Sequence, residues 1–250
     1  MKIFVKSIKG VGKSKSEDRV LIGHSVLSEI ATEMSLTDGV VAVADGVGGN
    51  NAGDIAASLV CAMVDTLEEY SVGGFKFVNN KLLEISKAVQ DYQGMATTLT
   101  GFVCHNNQLL KYFHVGNTRI YSIQANMYLN QITEDDTVVE RLLSMGVISE
   151  EEAEIYPKRN EITACFGGCK KELLDIKIQE FSKPLLTQML LTSDGIHEYL
   201  SIDDMENIIA ECDGHWNDLA AALIEQAVIN GSTDDCTAVI VDLFSKEKGI

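Results

Sequence analysis

Residues 40–49 read VVAVADGVGG. A short apolar run of this kind is typical of a buried β-strand, and here it ends in Asp45. The glycines that follow allow tight turns and close approach of a backbone carbonyl to a ligand. A carboxylate at a strand end beside such backbone suits a hard cation, Mg²⁺ or Mn²⁺. Taken alone, the pattern is more often an ordinary Asp-Gly turn, so the rest of the chain decides.

Acidic residues flank predicted strands in three further places. They are Asp194 after the run 188–192, Asp234 and Asp235 before the run 237–244, and Glu17 and Asp18 before the run 20–23. Several acids at similar positions relative to β-strands indicate carboxylates that converge on one rim of a sheet. Because packed like charges raise one another's pKa, such a rim requires cations to neutralise it.

The remaining pattern predicts an α+β fold. Apolar periodicity and end signals predict helices over residues 52–70, 79–90, 136–145, 203–211 and 215–229, with another starting at Ser149. Short β-prone runs lie at residues 1–11, 98–104, 109–115, 119–123, 127–132 and 175–180. The connections within 98–132 are short, which favours an antiparallel meander. Two antiparallel sheets with helices outside form a four-layer α/β/β/α sandwich, with the acidic rim as the metal site.

Composition narrows the class of protein. The chain has 250 residues, and residues 1–250 are predicted to be one domain. Its formal net charge of −17 disfavours binding to nucleic acid or to an anionic membrane. No long apolar segment predicts a leader or a membrane span, so a cytoplasmic protein is expected. The six cysteines are expected to be reduced, and the pair at 165 and 169 lacks the second pair that a zinc site needs.

An ordered series of motifs resembles the protein phosphatase 2C (PPM) family of metal-dependent serine/threonine phosphatases, and most closely the compact bacterial type. The resemblance covers nearly the whole chain. The segments that carry it are SED at 16–18, ADGVGG at 44–49, GMATT at 94–98, VGNTRIY at 115–121, TEDD at 133–136, RNEITACFG at 159–167, SDG at 193–195 and STDDCT at 232–237.

The resemblance implies a fold, a reaction and partners. The fold is two packed antiparallel sheets flanked by helices, as the residue pattern also predicts. The reaction is hydrolysis of phosphoserine and phosphothreonine by direct attack of a water held by two Mn²⁺ or Mg²⁺ ions. The substrates would be phosphoproteins, those of a bacterial Ser/Thr kinase being expected, and the protein would be a monomer.

Roles for individual residues also follow from the resemblance. Asp45 would bridge both metals, the Gly46 carbonyl would bind one of them, and Asp194 and Asp234 would bind the other. Glu17 and Asp18 would act through metal-bound waters. Lys13 stands where the family usually has an arginine that holds the substrate phosphate. Lysine keeps the charge but loses the bidentate fork, so weaker phosphate binding is expected.

Other positions depart from the family pattern. Asn117 replaces an aspartate that helps to hold a third metal in bacterial relatives, and a neutral amide is a poorer ligand, which weakens the expectation of a third ion. Asp136 replaces a frequent histidine, and Asp235 replaces an asparagine. Val47 stands where eukaryotic members have a histidine proposed as the general acid, so that role is not assigned. Residues 142–160 correspond to the flap beside the site, or equally to a solvated helical hairpin. His197 is expected near the site in a structural role.

Two other functions remain open at this point. A non-catalytic binding module with the same fold is disfavoured because Asp45, Asp194 and Asp234 are all present. A metal-dependent phosphohydrolase of small molecules, an enzyme of different chemistry, is the alternative that the sequence excludes least well.

Overall fold

The computed structural model describes residues 1–47, 52–125, 127–168, 173–181 and 188–243. The strands are β1 Lys2–Ile8, β2 Arg19–Ile22, β3 Ser25–Leu27, β4 Ala31–Ser35, β5 Gly39–Ala44, β6 Ala96–Thr97, β7 Leu99–His105, β8 Gln108–Val115, β9 Arg119–Gln124, β10 Tyr128–Gln131, β11 Phe166–Gly167, β12 Lys177–Glu180, β13 Gln188–Thr192 and β14 Cys236–Asp242. The helices are α1 Gly53–Asp65, α2 Val72–Ala88, α3 Val138–Ser144, α4 Glu150–Glu154, α5 Asp194–His197, α6 Ile202–Cys212 and α7 Trp216–Ile229.

Two large antiparallel sheets form the centre of the molecule. Sheet I has the strand order β10-β9-β13-β14-β1-β4, and sheet II has the order β12-β8-β7-β5-β2-β3. Strands β6 and β11 form a small separate pair. The first strand and the last one described pair along their whole length, from Lys2 with Asp242 to Ile8 with Cys236, so the two ends of the described chain are held together.

Alternation of side chains along the strands divides the core into three parts. One face of each sheet meets the other sheet in a cluster that includes Ile3, Val41, Phe102, Leu191 and Val239. The outer face of sheet II packs on α1 and α2, and the outer face of sheet I packs on α5, α6 and α7. These contacts make the four-layer α/β/β/α sandwich that the sequence predicts, and the fold class is confirmed.

Serine caps set several helix starts. The Ser149 hydroxyl accepts from the backbone N–H of Glu152, whose carboxylate accepts from the Ser149 N–H, so the predicted start of α4 is confirmed. Ser201 and Asp204 form the same capping box on α6. Ser71 caps α2, which therefore begins at Val72, seven residues before the predicted start at 79.

The predicted meander is wrong at its centre. β7 pairs with β8 and β9 pairs with β10, but β8 lies in sheet II and β9 lies in sheet I. The short Gly116-Asn117-Thr118 connection therefore crosses between the sheets, although its length suggests a hairpin. This crossing brings Asn117 to the rim of the sandwich.

Other boundaries also differ from the sequence prediction. α1 ends at Asp65, so Leu67 and Tyr70 lie beyond the helix predicted over 52–70. Its most buried face carries the smaller residues Ala56, Ala57, Val60, Cys61 and Val64. Strands β3 and β4 are not predicted, because their side chains are mostly polar or half-exposed. Gly48, Gly49, Cys169 and Phe244, which enter the sequence predictions, lie outside the described residues.

Within the described ranges, no helix is both long enough and apolar enough to cross a membrane.

Candidate functional site

Predicted acidic positions meet at one rim, where strands of both sheets end on the same side. Asp45 follows β5 and Asp18 precedes β2, its neighbour in sheet II. Asp194 follows β13 and Asp234 precedes β14, its neighbour in sheet I. The Thr237 hydroxyl, on β14, donates to Oδ2 of Asp18 at 2.7 Å and so links the two sheets at this rim. The prediction that these acids converge on one rim is therefore confirmed, as far as their positions in the fold are concerned.

Backbone contacts fix the position of Asp45. Its N–H donates to the Thr98 hydroxyl at 3.0 Å, and its carbonyl accepts from the Thr98 N–H at 2.8 Å and from the Thr97 hydroxyl at 2.9 Å. At the next residue, Gly46, a Cβ atom would overlap the backbone of Gly53 at the start of α1. Only glycine fits there, so the turn that follows Asp45 is held close against the helix.

The electrostatics of the rim show how tightly the acids are packed. Burial, followed by the charges of Asp194, Asp18 and Asp234, raises the pKa of Asp45 well above its usual value. Burial, followed by the charge of Asp234, also raises the pKa of Asp194. For Asp18, burial raises the pKa to about 7. The carboxylates destabilise one another's charged forms and require positive charge to stay ionised together.

Asp18 carries an orphaned oxygen. Its side chain is fully buried, and Oδ1 has no hydrogen-bond partner among the described residues, whereas Oδ2 accepts from Thr237. A buried carboxylate oxygen without a partner is costly, so it marks a place where a cation or a cation-bound water would be stabilising. The adjacent Glu17 is half-buried, and burial raises the pKa of its side chain, although the charge of Lys13 opposes the shift.

The loop between β1 and β2 is attached to the rim through Asp235, which the sequence places among the converging acids and also marks as a departure from the family pattern. Its buried carboxylate accepts from the backbone N–H groups of Gly10 and Glu17, each at 2.7 Å, and from Nζ of Lys13 at 3.0 Å. Lys13 also donates to Oδ1 of Asp234 at 2.5 Å. Burial alone would lower the pKa of Lys13, but the bonds to Asp234 and Asp235 raise it, so the side chain stays charged.

Asn117 lies beside Asp194. Its side-chain nitrogen donates to Oδ2 of Asp194 at 3.0 Å, and the residue is only 4% exposed. The residue that departs from the family pattern therefore lies in the site itself. Its neutral amide donates a hydrogen bond to Asp194, whereas the aspartate that the resemblance implies would bring a second negative charge beside it.

A cavity of about 230 Å³ opens next to Asn117. Its walls come from the rim, through Arg119, His197 and Glu198, and from the segment after α3, through Arg159 and Asn160. Asn160 donates to the Glu198 carboxylate at 2.5 Å, which ties this segment to the chain just after α5. Burial and the charge of Asp194 raise the pKa of Glu198 to about 7.

Two of these side chains have structural partners. His197 is buried and its Nδ1 lies 2.7 Å from the Thr192 hydroxyl, while burial holds its pKa well below the usual range. Its expected place near the site is confirmed. Arg119 forms a bidentate pair with Asp135, with one guanidinium nitrogen at 2.7 Å from Oδ2. The sequence marks Arg119 only as part of the motif at 115–121, and it gives no signal for Glu198, which lies one helical turn after Asp194.

The donor set at the rim fits a divalent cation in type and in charge. Carboxylates and a backbone carbonyl are the ligands that Mg²⁺ and Mn²⁺ prefer, and Asp18 offers an unpartnered buried oxygen. In the part of the chain that the structure describes, no three His, Cys, Asp or Glu side chains already stand at metal-binding spacing. Asp234 is instead paired with Lys13, and Asp194 is bonded to Asn117.

Comparison with known proteins identifies the family. A family model described as protein phosphatase 2C matches residues 30–226. The serine/threonine phosphatase stp of Listeria monocytogenes is 29% identical over 225 residues, which cover 84% of this chain and 86% of the relative.

Two solved structures are also similar to this chain. The serine/threonine phosphatase PstP/Ppp of Mycobacterium tuberculosis has a TM-score of 0.76 and 27% identity, with 97% of this chain and 99% of that chain covered. The catalytic domain of PstP in complex with two manganese ions has a TM-score of 0.71 and 26% identity, with the same coverage of 97% and 99%. The chain therefore belongs to the protein phosphatase 2C family, and the enzyme class that its motifs predict, protein serine/threonine phosphatase, is confirmed.

Proposed function

We propose that this protein removes phosphate from phosphoserine and phosphothreonine in proteins, with two divalent ions, Mn²⁺ or Mg²⁺, held by the acidic rim. The observation that carries the proposal is the convergence of Asp45, Asp194, Asp18 and Asp234 from four strand ends. Acids packed this closely, with the pKa values of Asp45 and Asp194 raised, are stabilised when cations bind between them. The similar PstP catalytic domain, solved with two manganese ions, supports the choice of metal and number.

Individual residues would then have distinct roles. Asp45 and the Gly46 carbonyl are proposed to hold metal together with Asp194 and Asp234, while Glu17 and Asp18 act through water. The orphaned Oδ1 of Asp18 supports this assignment, because a metal-bound water would give it a partner. Bound divalent ions supply positive charge to the phosphoryl oxygens and lower the pKa of a bound water.

Lys13 is the proposed contact to the substrate phosphate. Its ammonium contacts the rim acid Asp234, and the side chain is one-third exposed, so it is accessible from the outside. In this arrangement Lys13 neutralises Asp234 and Asp235 while it keeps a third N–H available for an anion. A single ammonium provides point charge and no bidentate fork, which supports the expectation of modest phosphate affinity.

The rest of the substrate would lie along the cavity beside Asn117. We propose that residues 142–160 form a flap on the single catalytic domain 1–250, because the segment ends at Asn160, which is bonded to Glu198 in the cavity wall. The wall carries side chains of both charges, Arg119 and Arg159 and the acid Glu198, so it suits a polar peptide better than a small apolar molecule. We further propose that the substrates are phosphoproteins made by a bacterial Ser/Thr kinase. The enzyme is proposed to act on them in the cytoplasm as a monomer.

The test is phosphate release from a phosphothreonine peptide and from p-nitrophenyl phosphate by the full chain. Turnover with Mn²⁺ that EDTA abolishes is the expected result. Absence of turnover in Mn²⁺ contradicts the proposal and favours a non-catalytic binding module. Hydrolysis of phosphorylated metabolites at higher kcat/KM than phosphopeptides would instead indicate a small-molecule phosphohydrolase.

A further inference from the structure

The Gly116-Asn117-Thr118 turn, between β8 and β9, brings an amide donor onto one of the rim acids. Nδ2 of Asn117 lies 3.0 Å from Oδ2 of Asp194, and Asn117 is almost completely buried. The two residues are 77 positions apart and belong to different connections of the fold. Their contact therefore depends on how firmly the turn is held against the rim.

The turn is fixed on the side of Gly116 by Asp136. The N–H of Gly116 donates to Oδ2 of Asp136 at 2.9 Å, and the N–H of Asp136 donates to the carbonyl of Gly116 at 2.8 Å. Lys177 donates to the other carboxylate oxygen of Asp136 at 2.6 Å. Gly116 has φ of +104°, and a Cβ atom there would overlap Thr98, so the turn requires glycine.

The other side of the turn is fixed by two threonines. The hydroxyl of Thr98 bonds that of Thr118 at 2.7 Å, and the hydroxyl of Thr100 donates to the carbonyl of Thr118 at 2.9 Å. Thr98 is the same residue that holds the backbone of Asp45. One side chain thus sets the positions of both Asp45 and the turn that carries Asn117.

We infer that Asn117 is a positioning residue, which holds the carboxylate of Asp194 in one orientation relative to Asp45 for metal binding; this rests on the proposed function. Hydrogen bonds to ligating carboxylates from outside the ligand set orient them, and their loss typically lowers metal affinity by about 10–100-fold. An amide is suited to this place because it donates a hydrogen bond without adding a charge. A lysine or arginine there would compete with the metal for Asp194.

The test measures binding of Mn²⁺, added as its chloride, to the full chain by isothermal titration calorimetry. Asn117→Ala is expected to weaken Mn²⁺ binding by about 10–100-fold. At saturating Mn²⁺ the KM for p-nitrophenyl phosphate should be unchanged, because Asn117 acts through Asp194. Asn230→Ala is the matched control, since the side-chain amide of Asn230 donates to the carbonyl of Tyr199 at 2.9 Å on an exposed surface.

A folded Asn117→Ala variant that binds Mn²⁺ as tightly as the wild type overturns the inference. A raised KM at saturating Mn²⁺ also overturns it, because it would place Asn117 on the substrate. If the wild type binds Mn²⁺ but turns nothing over, the proposed function fails, while the comparison of Mn²⁺ affinities still decides the role of Asn117.

A second variant guards against misfolding of the first. Thr118→Val keeps the shape of the side chain and removes only the hydroxyl that bonds Thr98. It should weaken Mn²⁺ binding in the wild-type background and have no further effect in Asn117→Ala. Equal effects in the two backgrounds would show that the turn does not act through Asn117.

Discussion

The ammonium of Lys13 lies 2.5 Å from a carboxylate oxygen of Asp234, a residue 221 positions later in the chain. The same ammonium is 3.0 Å from Asp235, whose carboxylate also holds the backbone of the loop that carries Lys13. The proposed phosphate contact is thus fixed to a proposed metal ligand. The positive charge of Lys13 therefore interacts both with the acids of the rim and with an incoming anion.

Substitutions at Lys13 should change KM more than kcat. Lys13→Arg restores a bidentate fork and is expected to lower the KM for a phosphothreonine peptide, while Lys13→Met should raise it by about tenfold or more. Lys15→Met is the control, because Lys15 lies on the same loop but pairs with Asp54 at 2.6 Å. Steady-state kinetics in Mn²⁺ measure the effect, and an unchanged KM in Lys13→Met would refute the phosphate contact.

Asp45→Asn should remove nearly all activity. The variant keeps the shape of the side chain but loses the charge that is proposed to bridge two ions, so kcat should fall by more than the roughly 10–100-fold typical of an outer-shell partner. Without metal, the variant should be at least as stable as the wild type, because the burial and the like charges that raise the pKa of Asp45 do not penalise a neutral amide. Asp38→Asn, at an exposed acid beside His105, is the matched control. A wild-type rate in Asp45→Asn would refute the metal assignment.

Asn117→Asp should change the affinity for Mn²⁺ in the opposite direction to Asn117→Ala. A carboxylate beside Asp194 adds a ligand for a hard cation, so a higher affinity for Mn²⁺, an additional ion bound or a higher rate is expected. The melting temperature of the metal-free variant should fall, since a hydrogen bond is replaced by repulsion between like charges. Calorimetry with and without Mn²⁺ measures both effects. If neither Mn²⁺ binding nor the rate changes, the interpretation of position 117 is wrong.

Because of His114, the free energy of unfolding should decrease as the pH is lowered below about 6.5, the usual histidine pKa. Its ring is fully buried, between the Thr100 hydroxyl at 2.8 Å and the Glu134 carbonyl at 2.8 Å, and burial lowers its pKa despite the facing charges of Asp136 and Asp135. Since the unfolded chain takes up this proton first, the contribution is present above the unfolded pKa and lost as pH falls through it. The loss is at most about 1.4 kcal/mol per pH unit.

Denaturant unfolding of wild type and His114→Gln between pH 8 and 5 checks this prediction. As pH falls, the free energy of unfolding should decrease more in the wild type than in His114→Gln. Parallel pH profiles would contradict it. Taking the difference removes the contribution of the rim acids, which have shifts of the opposite sign and are present in both proteins.

The fold class and the acids of the site could be predicted because their signals are local. A β-prone run with an apolar centre, followed by Asp-Gly, marks both β5 and β13, and Ser149 with Glu152 marks the start of α4. Their order along the chain also carries the family resemblance. Strand ends that lie on the same side of two packed sheets then bring the acids together.

The parts that could not be predicted depend on contacts distant in sequence. A connection of three residues after Val115 is typical of a hairpin, and only the packing of the two sheets sends β9 into the other sheet. The role of Asp235 depends on backbone N–H groups of Gly10 and Glu17, more than 200 positions away. The early start of α2 follows from its Ser71 cap, although two glycines in its first turn lower the helix propensity.

The rim acids are proposed to hold two metal ions around Asp45. A crystal structure of the Mn²⁺-soaked protein, with anomalous scattering measured at the manganese edge, shows whether they do. We expect two strong anomalous peaks at the rim, both in contact with the Asp45 carboxylate, with Asp194 and Asp234 bound to one of them and the Gly46 carbonyl to the other. Absence of peaks at the rim, or peaks that do not touch Asp45, would show that the metal assignment is wrong.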